Sequence, residues 1–417
     1  MQDQSLPQSL SKSSFAMLKS EIPGLALRTL LAAGEHIEFG CLTVTLPDGS
    51  KRVFRGPKPG PQAELAIRTN RAARQILFGG NVGFAEAYMD HGIDSPDMAA
   101  MLELAVLNET AIDPIHYGTA SRIGPVVGYV RRLWHALRAN TRAGSQRNIA
   151  YHYDLGNSFY ERWLDPSMAY SSAVYPTGVA DLEAAQQAKF KQMAAMMAVA
   201  PGQKVLEIGC GWGSFAAFLA KEYRAKVTAI TVSREQLAHT QAKVQAEGLG
   251  DLVETRFVDY RDVEGRFDRI ASIEMFEAVG EKYWPAYFGK LRDCLQPGGR
   301  AALQIITIAD QCFERYRTGV DFIQRYIFPG GMLPSPTALK REYEAAGLRL
   351  EKQSNFGDDY ARTLAEWNRR FQAAWPEIEP LGFDGRFKRM WEFYLAYCEA
   401  GFRGRSLDVT QVALVRP

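Results

Sequence analysis

Alternation of apolar and polar residues marks the first structured part of this chain. GCLTVTLPDGSKRVFRG, at residues 40–56, alternates on both sides of Asp48-Gly49, which predicts a β-hairpin. The other elements predicted nearby are a strand at 63–69 and helices at 70–78 and 96–107. This pattern predicts a small α+β domain over residues 21–114, and the polar residues 1–20 before it are expected to be disordered.

Residues 148–417 instead alternate short apolar runs with amphipathic stretches, which is typical of a doubly wound α/β domain. The predicted strands lie at 204–208, 226–232, 252–258, 267–273 and 300–306, and the predicted helices between them at 214–222 and 233–246. Ligands of such sheets bind beyond the carboxyl ends of the strands. The residues at those ends, including 274–277, are therefore candidates for the site.

The turn after the first of these strands is the most informative motif. In VLEIGCGWG, Gly209, Gly211 and Gly213 alternate with other residues, and Glu207 lies on the strand. Glycines there allow positive φ and let a ligand approach the backbone. The spacing differs from the dinucleotide fingerprint and resembles that of S-adenosylmethionine-dependent methyltransferases, with Glu207 placed to pair with a cationic or hydroxyl-bearing ligand. A turn that binds another nucleotide, or nothing, is the alternative.

The second strand of this region lacks the acidic residue that usually binds ribose hydroxyls in such folds. Thr231 and Gln236 follow that strand and would have to supply the polarity, unless Glu235 reaches back.

A basic connector is expected at residues 115–147, between the two domains. The run has no acidic residue, and its arginines are Arg122, Arg131, Arg132, Arg138, Arg142 and Arg147. Apolar residues are interleaved with them at partly helical spacing. Such a helix can lie on an anionic bilayer. It can equally be a linker whose apolar side packs on the core.

Length and composition constrain the rest. A chain of 417 residues is longer than a single hydrophobic core usually supports, so we expect two domains. The net charge of +2 gives no reason to expect nucleic acid, and the five scattered cysteines predict neither a disulfide framework nor a metal site. MQDQSLPQSLSKSS does not resemble a signal peptide, and no 18-residue apolar run occurs. We therefore expect a cytoplasmic protein whose membrane contact is peripheral.

Six ordered motifs make most of residues 148–400 resemble the cyclopropane-fatty-acyl-phospholipid synthase family, which includes mycolic-acid cyclopropane synthases and fatty-acid methyltransferases. They are YHYDLGNSFYERWLDPSMAYSSAVYPTG (151–178), EIGCGWGSFA (207–216), ITVSREQ (230–236), IEMFEAVGEKYWPAYF (273–288), FIQRYIFPGGMLPS (322–335) and FGDDYARTLAEW (356–367). The resemblance implies a Rossmann-like class I methyltransferase fold with a mostly parallel sheet, beside a smaller N-terminal lipid-associated domain.

The resemblance also implies the cofactor, S-adenosyl-L-methionine, and the residues that bind it. Carried over motif by motif, these are Tyr170, Ser171, Gly209, Gly211, Thr231, Gln236 and Tyr260, to which Glu207 of the first strand is added.

In that family the catalytic base is a bound bicarbonate, which a Cys, a Glu, a His and a Tyr hold together with backbone. The Glu corresponds to Glu277 and the Tyr to Tyr360, which is expected to hydrogen-bond to it, whereas Ser172 stands at the Cys position and Gln304 at the His position. Ser and Gln can still donate to an anion. The sequence therefore allows three interpretations. The protein binds bicarbonate more weakly, it has lost the base, or Glu277 and Tyr360 have a purely structural role.

The implied activity is transfer of a methyl carbon to the cis double bond of an unsaturated phospholipid acyl chain, with closure of a cyclopropane ring. Ring closure needs a dry apolar tunnel, aromatic faces beside the cation and a base near the methyl group. An alternative activity is methyl branching of the acyl chain without ring closure. Two further alternatives are that the protein is a non-catalytic lipid-binding protein or a small-amine N-methyltransferase. An anionic membrane surface is the expected partner, and the oligomeric state, a homodimer included, is left open.

Overall fold

The computed structural model describes residues 24–111 and 155–417, which form a small N-terminal unit and a larger α/β unit. The segment at 1–20 that was predicted to be disordered and the basic connector at 115–147 lie outside these ranges. The N-terminal unit contains α1 (Leu25–Gly34), β1 (Phe39–Thr45), β2 (Lys51–Arg55), β3 (Lys58–Ile67), α2 (Asn70–Met89), β4 (Ile93–Asp94) and α3 (Met98–Leu107).

The predicted hairpin is confirmed, since β1 and β2 pair antiparallel on either side of Asp48-Gly49. The Asp48 carboxylate accepts hydrogen bonds from the N–H (2.9 Å) and O–H (2.7 Å) of Ser50, and Gly49 supplies a φ of 82°. Strand β3 pairs with β1 in parallel and with β4 antiparallel. The described sheet therefore has the order β2-β1-β3-β4.

Helix α2 is longer than the sequence pattern predicted, because it continues past Phe78 to Met89. Gly80 interrupts the helical backbone with φ 58° and ψ −139°, a conformation that glycine adopts far more readily than other residues. The two arms stay helical on either side of this kink. A pair of glycines is a helix-stop signal in a sequence, which explains the short prediction.

The α/β unit is built on a sheet whose described strands follow the order β10-β11-β9-β8-β5-β6-β7. Their bounds are β5 (Lys204–Ile208), β6 (Lys226–Thr231), β7 (Val253–Phe257), β8 (Phe267–Ile273), β9 (Leu295–Ile308), β10 (Arg349–Asn355) and β11 (Leu407–Val415). Strands β5 to β9 pair in parallel, and β11 and β10 extend the sheet antiparallel beyond β9. All five predicted strands are confirmed, and the two antiparallel strands β10 and β11 were not predicted.

Helices cover both faces of this sheet. They are α4 (Leu182–Met197), α5 (Ser214–Tyr223), α6 (Arg234–Ala246), α7 (Trp284–Cys294), α8 (Asp310–Thr318), α9 (Pro336–Ala345), α10 (Gly357–Ile378) and α11 (Gly385–Arg403). Val205 and Leu206 of β5 belong to different cores, because successive side chains of a strand point to opposite faces. Within the described residues, no helix combines the length and apolar character needed to cross a membrane.

The two units are joined by contacts between α2 and α11. The Arg389 guanidinium of α11 donates to the carbonyl oxygens of Tyr88 (2.6 Å) and Ile93 (3.0 Å). Tyr326 of the α/β unit donates through its hydroxyl to the Glu86 carboxylate at 2.7 Å. These bonds hold α2 against the α/β unit.

Candidate active site

A cavity of about 1330 Å³ lies at the carboxyl ends of the parallel strands and extends to the N-terminal unit. One end is lined by the glycine turn after β5 and by residues that follow β6, β7 and β8. The other end is apolar, and its lining includes Leu77 of α2, Leu102 of α3 and Phe393 of α11. The volume exceeds the roughly 300 to 1,000 Å³ of ordinary ligand pockets. The cavity therefore has room for a cofactor and a long apolar chain.

The predicted glycine turn forms the floor of the polar end. Gly209, Gly211 and Gly213 have φ values of 80°, 52° and 82°, which side-chain-bearing residues rarely adopt. A Cβ atom on Gly209 would lie 2.7 Å from the Cγ atom of Met275, whereas Gly211 has open space around its missing side chain. Gly209 and Gly211 both line the cavity, as the resemblance implied.

Glu207 lies beside this turn and is among the residues that line the cavity. Its Oε2 atom accepts no hydrogen bond from the described residues. Burial raises the pKa of Glu207 to about 8 and lowers the pKa of the nearby Lys189 ammonium to about 8. Lys189 is fully buried and donates to the Ser171 hydroxyl at 2.7 Å. An unpartnered buried carboxyl oxygen fits a cationic or hydroxyl-bearing ligand.

Polar groups after β6 and β7 line the next part of the cavity. The Thr231 hydroxyl donates to the Gln236 side-chain oxygen at 3.0 Å, and both residues are buried. Glu235 is exposed and is absent from the lining, so the alternative in which it reaches back has no support. Tyr260 also lines the cavity, and the Arg261 guanidinium lies 5.4 Å from its ring centroid. Thr231, Gln236 and Tyr260 thus adjoin one space, as predicted.

The centre of the site is a glutamate to which the sequence analysis gave no role of its own. Glu274 follows β8, and its carboxylate accepts hydrogen bonds from the Ser172 backbone N–H (2.8 Å) and the Gln304 side-chain amide (2.7 Å). Its second oxygen accepts a bond from the Tyr360 hydroxyl at 2.8 Å. Burial raises the pKa of Glu274, and these three donors oppose that shift. The only signal in the sequence was the position of Glu274 at a strand end.

Ser172 and Gln304, the residues at the family's Cys and His positions, act here as supports for Glu274. The Ser172 hydroxyl donates to the adjacent Ala173 carbonyl at 2.9 Å, so Ser172 meets Glu274 through its backbone alone. The Gln304 side-chain oxygen accepts a bond from Gln411 at 2.9 Å, which turns its amide nitrogen toward Glu274. Both residues are fully buried behind the cavity wall.

Glu277, which was predicted to help bind the bicarbonate base, has surroundings that differ from those of Glu274. Its Oε1 atom accepts a bond from the Ile306 N–H at 2.6 Å, and its Oε2 atom has no partner among the described residues. Burial, together with the neighbouring charge of Glu274, raises the pKa of Glu277 to about 8. The predicted Tyr360–Glu277 hydrogen bond is wrong, because the Tyr360 hydroxyl is directed to Glu274.

The site does not fit bicarbonate in the way the resemblance implied. The Tyr360 hydroxyl and the residue 172 and 304 positions, which were expected to hold that anion, are engaged with the Glu274 carboxylate. A carboxylate and a free anion in one shell would also repel each other.

Aromatic side chains adjoin these carboxylates on the apolar side. The hydroxyl groups of Tyr170 and Tyr394 share a hydrogen bond of 2.7 Å, and both residues line the cavity. Phe276 and Phe322 of the matching motifs are instead buried in the core. The aromatic residues of those motifs that line the cavity are Tyr170, Trp212, Phe215, Phe328 and Tyr360. The cavity therefore has aromatic faces where a cation could be stabilised.

The sheet order, the glycine turn and the ligand space at the strand ends define a class I S-adenosylmethionine-dependent methyltransferase. Sequence comparison identifies the family within this class. Residues 140–412 match the family described as mycolic acid cyclopropane synthetase. The chain belongs to that family.

Two relatives match most of the chain. It is 37% identical over 359 residues to the tuberculostearic acid methyltransferase UfaA1 of Mycobacterium tuberculosis, covering 84% of this chain and 82% of that protein. It is 37% identical over 362 residues to the cyclopropane-fatty-acyl-phospholipid synthase of Escherichia coli, covering 85% and 88%.

Solved structures agree with this assignment. The cyclopropane synthase MmaA2 of Mycobacterium tuberculosis has a TM-score of 0.61 and 28% identity, and the match covers 65% of this chain and 98% of that one. The mycolic acid cyclopropane synthase CmaA1, complexed with SAH and CTAB, gives the same TM-score, identity and coverage. The predicted fold and cofactor class are therefore confirmed.

Proposed function

We propose that the protein transfers the methyl carbon of S-adenosylmethionine to the cis double bond of an unsaturated phospholipid acyl chain and closes a cyclopropane ring. The observation that carries this proposal is the form of the cavity. A polar end at the glycine turn joins an apolar end that reaches α2, and the same cavity is lined by Glu274 and Glu277.

Each part of the cavity has a task in this reaction. S-adenosylmethionine, when bound, supplies an electrophilic methyl group. Glu207 and the glycine turn hold the cofactor at the polar end, and the apolar end binds the acyl chain and excludes water. Tyr170 and Tyr394 present electron-rich groups to the positive charge that the acyl chain carries after methyl transfer. A base beside the added methyl group then completes the ring.

The acyl chain enters beside the kink of α2. Phe78 is 57% exposed, and Phe78, Gly79 and Gly80 all line the cavity. An exposed aromatic ring at the rim of an apolar cavity suits contact with a lipid surface. Peripheral association with the anionic cytoplasmic face of a membrane is part of this proposal.

Vesicles of a monounsaturated phosphatidylglycerol, incubated with the protein and methyl-deuterated S-adenosylmethionine, test the function directly. Mass spectrometry of the lipid should find the added carbon with two of its three deuterium atoms, and proton NMR should show ring hydrogens. Vesicles of the saturated lipid serve as the control and should stay unmodified. An unsaturated lipid that gains no carbon would contradict the proposal.

Methyl branching is the second candidate, because Ser172 and Gln304 replace the Cys and His that the resemblance implies. Tuberculostearic acid methyltransferase is also the name of a relative at 37% identity. In this case the lipid would gain the carbon with all three deuterium atoms, and no ring hydrogens would be seen.

A further inference from the structure

We propose that the carboxylate of Glu274 is the catalytic base of this enzyme and takes the place of bound bicarbonate. The inference rests on the proposed transfer to an acyl double bond, because it names the group that removes the proton there.

The hydrogen bonds of Glu274 are those of an anion site. Backbone, amide and hydroxyl donors from Ser172, Gln304 and Tyr360 converge on its two oxygens at 2.7 to 2.8 Å. These donors come from three separate segments of the chain, so the site is built by the fold and not by local sequence. Donors of this kind favour the ionised form of a carboxyl group.

The backbone of Glu274 adopts a conformation that glycine would adopt with less strain. Its φ is 48°, in the left-handed region where most side chains are strained. Its N–H still donates to the Gln304 carbonyl at 2.8 Å, which fixes the turn after β8. Residues held in such conformations at the edge of a cavity are candidates for a functional role.

The charges around Glu274 indicate different roles for Glu274 and Glu277. Lys189 is the cation whose charge favours ionisation of Glu274. Among the described residues, Glu277, the Tyr360 hydroxyl and the Cys398 thiol are the other titratable groups that interact with it. Glu277 has one donor and a pKa raised to about 8, so it holds a proton near neutral pH. Burial raises the pKa of Glu274 as well, but its three donors and Lys189 oppose that shift, so we assign the negative charge to Glu274.

The proton balance of the step is simple. In methyl transfer, the π electrons of the double bond form the new C–C bond, and the S–CH3 bond of S-adenosylmethionine breaks to give neutral S-adenosylhomocysteine. One positive charge is left on the adjacent acyl carbon. The Glu274 carboxylate takes a proton from the added methyl group, and the C–H electron pair forms the last ring bond, which cancels the charge. The resulting carboxylic acid gives its proton to water after the product leaves.

The test compares the wild type with Glu274→Gln, Glu274→Gly and, as a matched control, Glu264→Gln on an exposed loop. Glu274→Gln should bind S-adenosylhomocysteine normally yet lower the rate of methyl deprotonation by about 10²-fold or more, since it keeps the shape and removes the base. The control should keep the wild-type rate. Purging dissolved carbonate should leave the wild type unaffected, and added bicarbonate should restore part of the activity of Glu274→Gly.

Binding of ¹³C-labelled bicarbonate, followed by NMR, gives a readout independent of turnover. The wild type should not bind the label at its active site, and Glu274→Gly should. Saturable binding to the wild type, or a Glu274→Gln variant as fast as the wild type, would overturn the assignment. If no unsaturated lipid is modified by the wild type, the proposed function fails instead, and the binding comparison still decides the role of Glu274.

Discussion

At the scale of single residues, two glutamates three positions apart differ in how strongly hydrogen bonds oppose the rise in pKa that burial gives to both. Glu274 accepts three bonds and Glu277 accepts one, although both are buried at the same strand end. Environments that separate the pKa values of neighbouring carboxyl groups are the usual means of assigning acid and base roles. A sequence pattern could place both residues at the site, but it could not show which one meets Tyr360, because that depends on the left-handed backbone of Glu274.

Tyr360→Phe is expected to move the pH profile of the enzyme. Burial keeps the pKa of the Tyr360 hydroxyl well above its usual value, so it stays protonated and donates to the Glu274 carboxylate. Loss of this donor raises the pKa of Glu274, and a base works only when ionised. The acidic limb of the rate profile should therefore shift to higher pH. Tyr223→Phe, remote from the cavity, should leave the profile unchanged, and an unshifted limb in Tyr360→Phe would contradict this account.

Gly209→Val should abolish cofactor binding, as calorimetry with S-adenosylhomocysteine can measure. The new Cβ atom would lie 2.7 Å from Met275 Cγ, at a φ of 80° that valine rarely adopts. The same contact is expected to lower the stability of the fold as well. Gly250→Val, with open space and no positive φ, is the control and should bind normally. Normal affinity in Gly209→Val would exclude this turn as the cofactor cradle.

At the scale of elements, the buried parallel strands were predictable and the edge of the sheet was not. Strands β5 and β8 match their predictions at both ends because each is a short apolar run before a turn. Strand β10 reads RLEKQSN, and its polar side chains are mostly exposed, so no apolar period marks it. Its position follows from pairing with β11, which is a tertiary contact that local pattern does not encode.

The kink of α2 gives a matched pair of glycine substitutions. Gly80→Ala should lower the free energy of unfolding by about 1 to 3 kcal/mol, because φ 58° and ψ −139° strain any side chain. Gly79→Ala has no positive φ and no atom within 4 Å of the new Cβ, so it should be neutral or slightly stabilising. Urea unfolding measures both. Equal effects would mean that the kink does not depend on glycine.

At the scale of the whole molecule, the cavity belongs to both units. Its cofactor end was predictable from the glycine turn, whereas its apolar end depends on how α2 and α3 pack against α11. No sequence motif predicts the packing of these helices. The basic connector at 115–147 remains a prediction about membrane contact, and Phe78 is the described residue best placed to share that task.

Phe78→Ser should weaken binding to unsaturated phosphatidylglycerol vesicles and raise the apparent KM for lipid, with little change in affinity for S-adenosylhomocysteine. The physical reason is the loss of an apolar ring that is 57% exposed at the cavity rim. Val53→Ser, at an exposed position of β2 outside the cavity lining, is the control. Vesicle sedimentation and initial rates are the measurements, and equal losses in both variants would argue against entry at this rim.

The left-handed backbone at residue 274 has a genetic consequence. Glycine is the residue that this φ of 48° accommodates without strain, and glycine and glutamate codons can differ by one nucleotide. A single point mutation from glycine to glutamate at this position would thus convert an enzyme whose base is bicarbonate from solution into one whose base is its own side chain. Such an enzyme would modify lipids at a rate uncoupled from how much carbon dioxide its cell respires or consumes.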